Sequence, residues 1–203
     1  MHLHRRPQQE REIGIRSEQQ QLFQQPQLKF IKKSNENNAF QERVAIFIDG
    51  SNLFSAITHL NIRIDYTKLL HHLTKERKLL RAYFYTAVDS TNKKQQSFLS
   101  GMRNYGYRVV TKELIQHSDG SKKANLEVEI AVDMLTLARY CDTLILLSGE
   151  GELNYVVDAV SYQGVRVEVV SLGLMTSDSL LSVADCYTDL EEIKQNIQKD
   201  LTR

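Results

Sequence analysis

Cysteine is scarce in this chain, and its scarcity removes several kinds of protein from consideration. Cys141 and Cys186 are the only two. Their separation matches neither a zinc pair nor a redox motif, so a reduced, cytoplasmic setting is the default expectation. The six histidines form no ligand cluster with them, and His71-His72 falls inside a helical pattern. No apolar run is long enough for a membrane helix and no signal-peptide core stands near the N-terminus, so no membrane partner is expected. Charge of one sign is lacking too. Lys+Arg 26 against Asp+Glu 25 leaves a formal net charge of +1, so nucleic-acid contact would have to come from a local patch. There is no internal repeat. No G-x-G-x-x-G follows the first apolar run, which counts against a nucleotide-binding Rossmann protein.

What is present suffices for one α/β domain with a core and some extra chain: 203 residues, 41% of them hydrophobic. Residues 1–42 differ from the rest. They hold both prolines, Pro7 and Pro26, and the glutamine runs Gln19-Gln20-Gln21 and Gln24-Gln25. Their apolar residues are sparse and aperiodic, so a flexible tail is expected there. Leu28-Lys29-Phe30-Ile31 is the one piece that could bury itself.

From Val44 onward strand and helix patterns alternate, which predicts βαβ units and a parallel sheet with right-handed crossovers. Strands are expected at Val44–Asp49, Leu79–Val88, Tyr107–Leu114, Leu144–Leu147 and Val165–Leu172. Helices are expected from about Leu53, over Tyr66–Lys75 with Asp65 as N-cap, over Thr91–Tyr105 and Asn125–Tyr140, and over Leu153–Tyr162. Two more, near Ser177–Ala184 and Leu190–Lys199, finish the chain.

The chain is organised around Val44-Ala45-Ile46-Phe47-Ile48-Asp49-Gly50-Ser51-Asn52. An unbroken apolar run of this kind reads as a strand buried on both faces. Asp49 stands at its carboxyl end, where ligand crevices form in open α/β sheets. It also has the position of an ordinary turn aspartate that caps the next helix. In the 125–140 helix, Leu126, Ile130, Ala131, Met134, Leu135, Leu137 and Ala138 share one apolar face, while Glu129, Asp133 and Thr136 lie opposite, and Asp133 reads as solvated. Glu127 falls in the middle of the apolar face. A carboxylate there needs a partner: the helix N-terminus, Lys122 or Lys123, or a metal. Ser148-Gly149-Glu150-Gly151-Glu152 repeats the arrangement of Asp49, with acids at the end of an apolar strand. Helix capping explains it, and so does a bound cation. Together Asp49, Glu127, Glu150 and Glu152 map to one sheet edge, as hard oxygen ligands suited to Mg²⁺ or Mn²⁺. Lys93-Lys94, Arg103, Lys112 and Lys122-Lys123 are the cations that could meet phosphates nearby.

These blocks resemble a known family. Phe47-Ile48-Asp49-Gly50-Ser51-Asn52 looks like the opening of NYN domains, the family with a PIN-like ribonuclease fold. Lys122–Met134, then Leu147-Ser148-Gly149-Glu150-Gly151-Glu152-Leu153, then Gly164–Val169 with Ser179-Leu180 and Ala184-Asp185, are similar to its later blocks in order and spacing. The LabA-like subgroup is the nearest. The resemblance implies a PIN-like three-layer α/β/α sandwich with a mostly parallel central sheet, a domain over 43–190, and a C-terminal helix over 191–203. It also implies an acidic cluster (Asp49, Glu127, Glu150, Glu152) that binds Mg²⁺ or Mn²⁺ and cleaves RNA. Asn52, Ser51, Lys93, Lys122 and Lys123 would contact the substrate. The family's usual aspartates appear here as Glu127, Glu150 and Glu152. Each added methylene moves a carboxylate by roughly 1–1.5 Å, and metal-assisted displacement tolerates little misplacement. Two functions are therefore expected: a metal-dependent ribonuclease, or a regulatory RNA- or protein-binding module on the same scaffold, with a homo-oligomer or a regulatory protein as further partner.

Overall fold

The computed structural model describes residues 41–89, 91–116 and 122–200, with the backbone alone at 115, 116, 122 and 123. Nearly all of the expected tail, with Leu28–Ile31, lies outside the described residues. Strands β1 (Arg43–Asp49), β2 (Lys78–Val88), β3 (Arg108–Glu113), β6 (Thr143–Leu147), β7 (Arg166–Ser171) and β8 (Cys186–Asp189) form a six-stranded sheet in the order β3-β2-β1-β6-β7-β8. Every neighbouring pair is parallel. A small antiparallel pair, β4 (Ile115–Gln116) and β5 (Lys122–Lys123), stands apart from it. The apolar run of β1 occupies the centre, as its two-sided burial requires.

Successive β1 residues serve opposite faces. Ala45 and Phe47 join a core with α4 (Glu127–Ala138), α5 (Asn154–Ser161) and α6 (Asp178–Leu181). Ile46 and Ile48 join a second core. That core is built with α1 (Gly50–His59), α2 (Tyr66–Thr74), α3 (Lys93–Asn104) and α7 (Leu190–Ile197). The result is the expected α/β/α sandwich. Asp65 caps α2 as expected, its carboxylate accepting from the Thr67 and Lys68 amides.

Three expectations about elements need correcting. The sixth strand, Cys186–Asp189, was not foreseen. It is four residues long and half-buried throughout, so it has neither an apolar run nor an alternation to reveal it. In α4, Leu135 is 41% exposed instead of buried. Asp133, expected to be solvated, and Glu129, on the same side of the helix, are both partly sheltered and both engaged. Lys112 Nζ donates to Glu129 Oε1 at 2.8 Å and to the Asn125 carbonyl at 2.9 Å. Tyr85, fully buried on β2, donates its hydroxyl to Asp133 Oδ2 at 2.8 Å. A buried phenol must find such a partner. Tyr85 also continues a stacked row with Tyr83 and Phe47 beneath α4.

Helix α3 contains Gly101, where a methyl group would meet nothing within 4 Å. Gly101→Ala should therefore stabilise the protein by about 0.5–1 kcal/mol, because alanine loses less backbone freedom in a helix. Denaturant unfolding checks this, and a loss of stability would mean that the helix is differently packed.

Candidate functional site

The strand order reverses direction between β1 and β6, and the crevice outside the carboxyl ends at such a reversal is where open α/β folds bind ligands. Asp49 ends β1 there and Ser148-Gly149-Glu150 follows β6 directly. Asp49 is 5% exposed and heavily bonded. Its Oδ1 accepts from the Ser51 amide at 3.0 Å, the Asn52 amide at 3.2 Å and the Ser51 hydroxyl at 2.7 Å. Its Oδ2 accepts from the Ser148 hydroxyl at 3.1 Å. Asp49 is thus the N-cap of α1, and one of its oxygens also faces the β6 turn. The capping reading is borne out by these amide bonds, and the second oxygen is left to the Ser148 hydroxyl.

Ser148, fully buried, is the residue that the sequence did not single out. Its hydroxyl donates to Asp49 and accepts from the Glu150 amide at 3.2 Å, so it ties the two acidic turns together. In the sequence it looks like any turn serine. Asn52 completes the tie by donating Nδ2 to Glu150 Oε1 at 3.2 Å. That bond fixes the amide's orientation and leaves its Oδ1 buried without a partner.

Glu127 opens α4 and approaches from the other layer. Burial, first, raises its carboxyl above the usual range; helix-start amides oppose this, and the Asp49 and Glu150 charges add to it. Its Oε2 is buried and unpartnered. Asp49, Glu127 and Glu150 therefore act on one another. Glu152 is exposed on the one-turn 3₁₀ segment Gly151–Leu153. Among the described residues, no three His, Cys, Asp or Glu side chains are close enough to cage a cation unaided.

Close backbone approach explains two glycines. A Cβ on Gly50 would stand 2.6 Å from the Tyr85 carbonyl oxygen, and one on Gly149 would stand 2.2 Å from that of Met175. Of the expected substrate contacts, Ser51 is exposed at the rim and Lys93 is exposed at the start of α3. Lys122 and Lys123 form β5. Lys112 is held by Glu129 and the Asn125 carbonyl, so it anchors the start of α4.

A three-layer sandwich with an acidic crevice at the reversal of its parallel sheet is the layout of PIN-like ribonuclease-fold proteins. The chain belongs to the NYN domain family, whose family model matches residues 43–191. It is LabA-like. Over 165 residues it is 32% identical to "Low amplitude and bright protein LabA" of Synechococcus elongatus, across 77% of this chain and 88% of that protein. A crystal structure of a protein of unknown function from Vibrio parahaemolyticus superposes with a TM-score of 0.68 at 28% identity. It covers 78% of this chain and 97% of its own. Among the described residues, no helix is long and apolar enough to cross a membrane.

Proposed function

We propose that the protein is a metal-dependent ribonuclease acting on RNA phosphodiester bonds. The observation that carries this reading is the tie of Asp49 to Glu150 through Ser148 and Asn52 at the sheet reversal, with Glu127 Oε2 and Asn52 Oδ1 both buried and unpartnered. Two orphaned acceptors beside three carboxyl groups suit a hard cation. The set fits Mg²⁺ or Mn²⁺ held through one or two carboxylates, water and a substrate phosphate, since no closed protein cage exists among the described residues. Asp49, Glu127 and Glu150 would hold the ion. When bound, such an ion activates water and neutralises charge at the scissile phosphate. The chain's own part is to keep the acids in place. Ser51, Asn52 and Ser148 hold Asp49, while Asn52 holds Glu150. Ser51, Lys93, Lys122 and Lys123 would contact the RNA, and the domain would run over 43–190.

The second reading, a binding module that does not cut, is favoured by one specific feature. Asp49 Oδ1 is already saturated by three donors, which leaves the aspartate less free to serve a cation. Initial cleavage rates of a labelled single-stranded RNA, in Mn²⁺ and in chelator, separate the two. Cleavage is expected only with metal. RNA retention without cleavage by folded protein would establish the binding module instead.

The glutamates' extra length is used here, because Glu150 reaches Asn52 with its terminal oxygen. Shortening Glu127 and Glu150 together to aspartate should lower the rate about ten- to a hundredfold, or about 1.4–2.8 kcal/mol of transition-state stabilisation. A faster variant would show that the native acids stand out of register.

A further inference from the structure

Helix α4 presents its buried residues Ile130, Met134 and Ala138 to the sheet. At about 100° per residue, Val128, Val132 and Arg139 lie roughly 120–160° from that stripe, and Leu135 roughly 100° from it on the same flank. Their burial agrees: Val128 is 67%, Val132 56% and Leu135 41% exposed. Helix α5 repeats the pattern. Val156, Val157 and Val160 are buried, and Tyr155, Asp158 and Tyr162 point outward, the tyrosines 81% and 92% exposed. The two helices lie side by side over one core, and each leads by a right-handed crossover into a strand of the same direction, so they run parallel. Five large apolar side chains therefore share one outer face. Scattered exposed apolar residues need no explanation, but a contiguous face built from two neighbouring helices marks an interaction surface.

We propose that this face is a self-association surface, on which a second copy of the chain docks about a two-fold axis, helix pair against helix pair. Nucleic acid is a poor occupant, since the face carries one cation, Arg139, and one anion, Asp158, and both are exposed. Neither has an ion-pair partner among the described residues. Opposite charges on one patch suit a self-complementary two-fold contact: in the proposed dimer each copy's Arg139 would meet the other's Asp158, around an apolar centre at Val132. Size agrees as well. An aromatic side chain offers about 150–250 Å², so the two tyrosines alone supply on the order of 300 Å². The aliphatic row extends this toward the ~800 Å² per partner of a standard interface. Val128 directly follows Glu127, so docking here would brace the first turn of α4 on its outer side while its inner side carries the acid.

The test is sedimentation of the full chain across the micromolar range, and it does not depend on ribonuclease activity. The native protein is expected to dimerise. Val132→Glu and Tyr162→Ser, both at exposed positions, should each weaken the dimer at least about tenfold without altering the melt. Arg139→Asp and Asp158→Arg should each weaken it as well, and the two together should restore it. A protein monomeric at every concentration would overturn the proposal, whatever else covers the face. A dimer indifferent to Val132→Glu, or a double reversal that restores nothing, would overturn it too.

Discussion

Asp49→Asn should abolish metal-dependent RNA cleavage, by at least about a hundredfold, while leaving the domain folded. Asparagine keeps a carbonyl oxygen for the Ser51 and Asn52 amides and is itself a good N-cap, so α1 should persist. What changes is charge, and the group that Ser148 faces. The Ser148 hydroxyl, which now donates to Asp49 Oδ2, would meet an amide NH₂ and have to turn. The effect on stability has a definite sign. Glu127 is raised by burial first and then by the Asp49 and Glu150 charges. A carboxyl raised in the folded state costs stability as pH climbs from its unfolded value through the raised one, and the cost persists above it. Removing the Asp49 charge removes part of that cost. In chelator, the Asn variant should melt higher than the native protein at neutral pH. The difference should shrink in acid, where Glu127 is protonated in either protein. Cleavage that persists in the variant would trace the activity to a contaminant, and unchanged Mn²⁺ affinity by calorimetry would remove Asp49 from the site.

Gly149→Ala should be the most damaging single methyl group in the described chain. The new Cβ would stand 2.2 Å from the Met175 carbonyl oxygen, 2.7 Å from Ser171 Oγ and 3.0 Å from the Met175 carbonyl carbon. The serine could rotate, since its hydroxyl is buried without a partner. The carbonyl cannot. It belongs to the 3₁₀ turn Gly173–Met175, and the next segment is fastened back by the Ser177 amide donating to the Gly149 carbonyl at 3.0 Å. Relief would require parting the β6 turn from the β7 turn and displacing Glu150 with it. A loss of about 3 kcal/mol or more is expected in denaturant unfolding, at the upper end of overpacking effects. Less than about 1 kcal/mol would show that the two turns separate freely. Gly101→Ala, with open space around its methyl group, is the natural control.

The sequence by itself determined the alternating α/β layout with its parallel sheet, and the position of Asp49 at the end of the first strand. An apolar run buried on both faces is a central strand, and the carboxyl end of this one, at Asp49, lies where the sheet reverses. Helical periodicity likewise turned Glu127 inward. Neighbours across the fold decided the rest. Leu135 looked like core, yet a helix on the outside of a sandwich has a single inward stripe, and Ile130, Met134 and Ala138 fill it. Asp133 reads as solvated and Glu129 as outward in the sequence, because Tyr85 and Lys112, their partners, lie on β2 and β3, more than a dozen residues away. Cys186–Asp189 has no period of its own and becomes a strand through pairing with β7. Ser148 shows the same limit at the site. A turn serine is ambiguous until the fold brings Asp49, 99 positions away in the chain, within 3.1 Å of its hydroxyl. A one-dimensional pattern records which face a residue takes, whereas the partner that satisfies a buried polar group is set by tertiary contact.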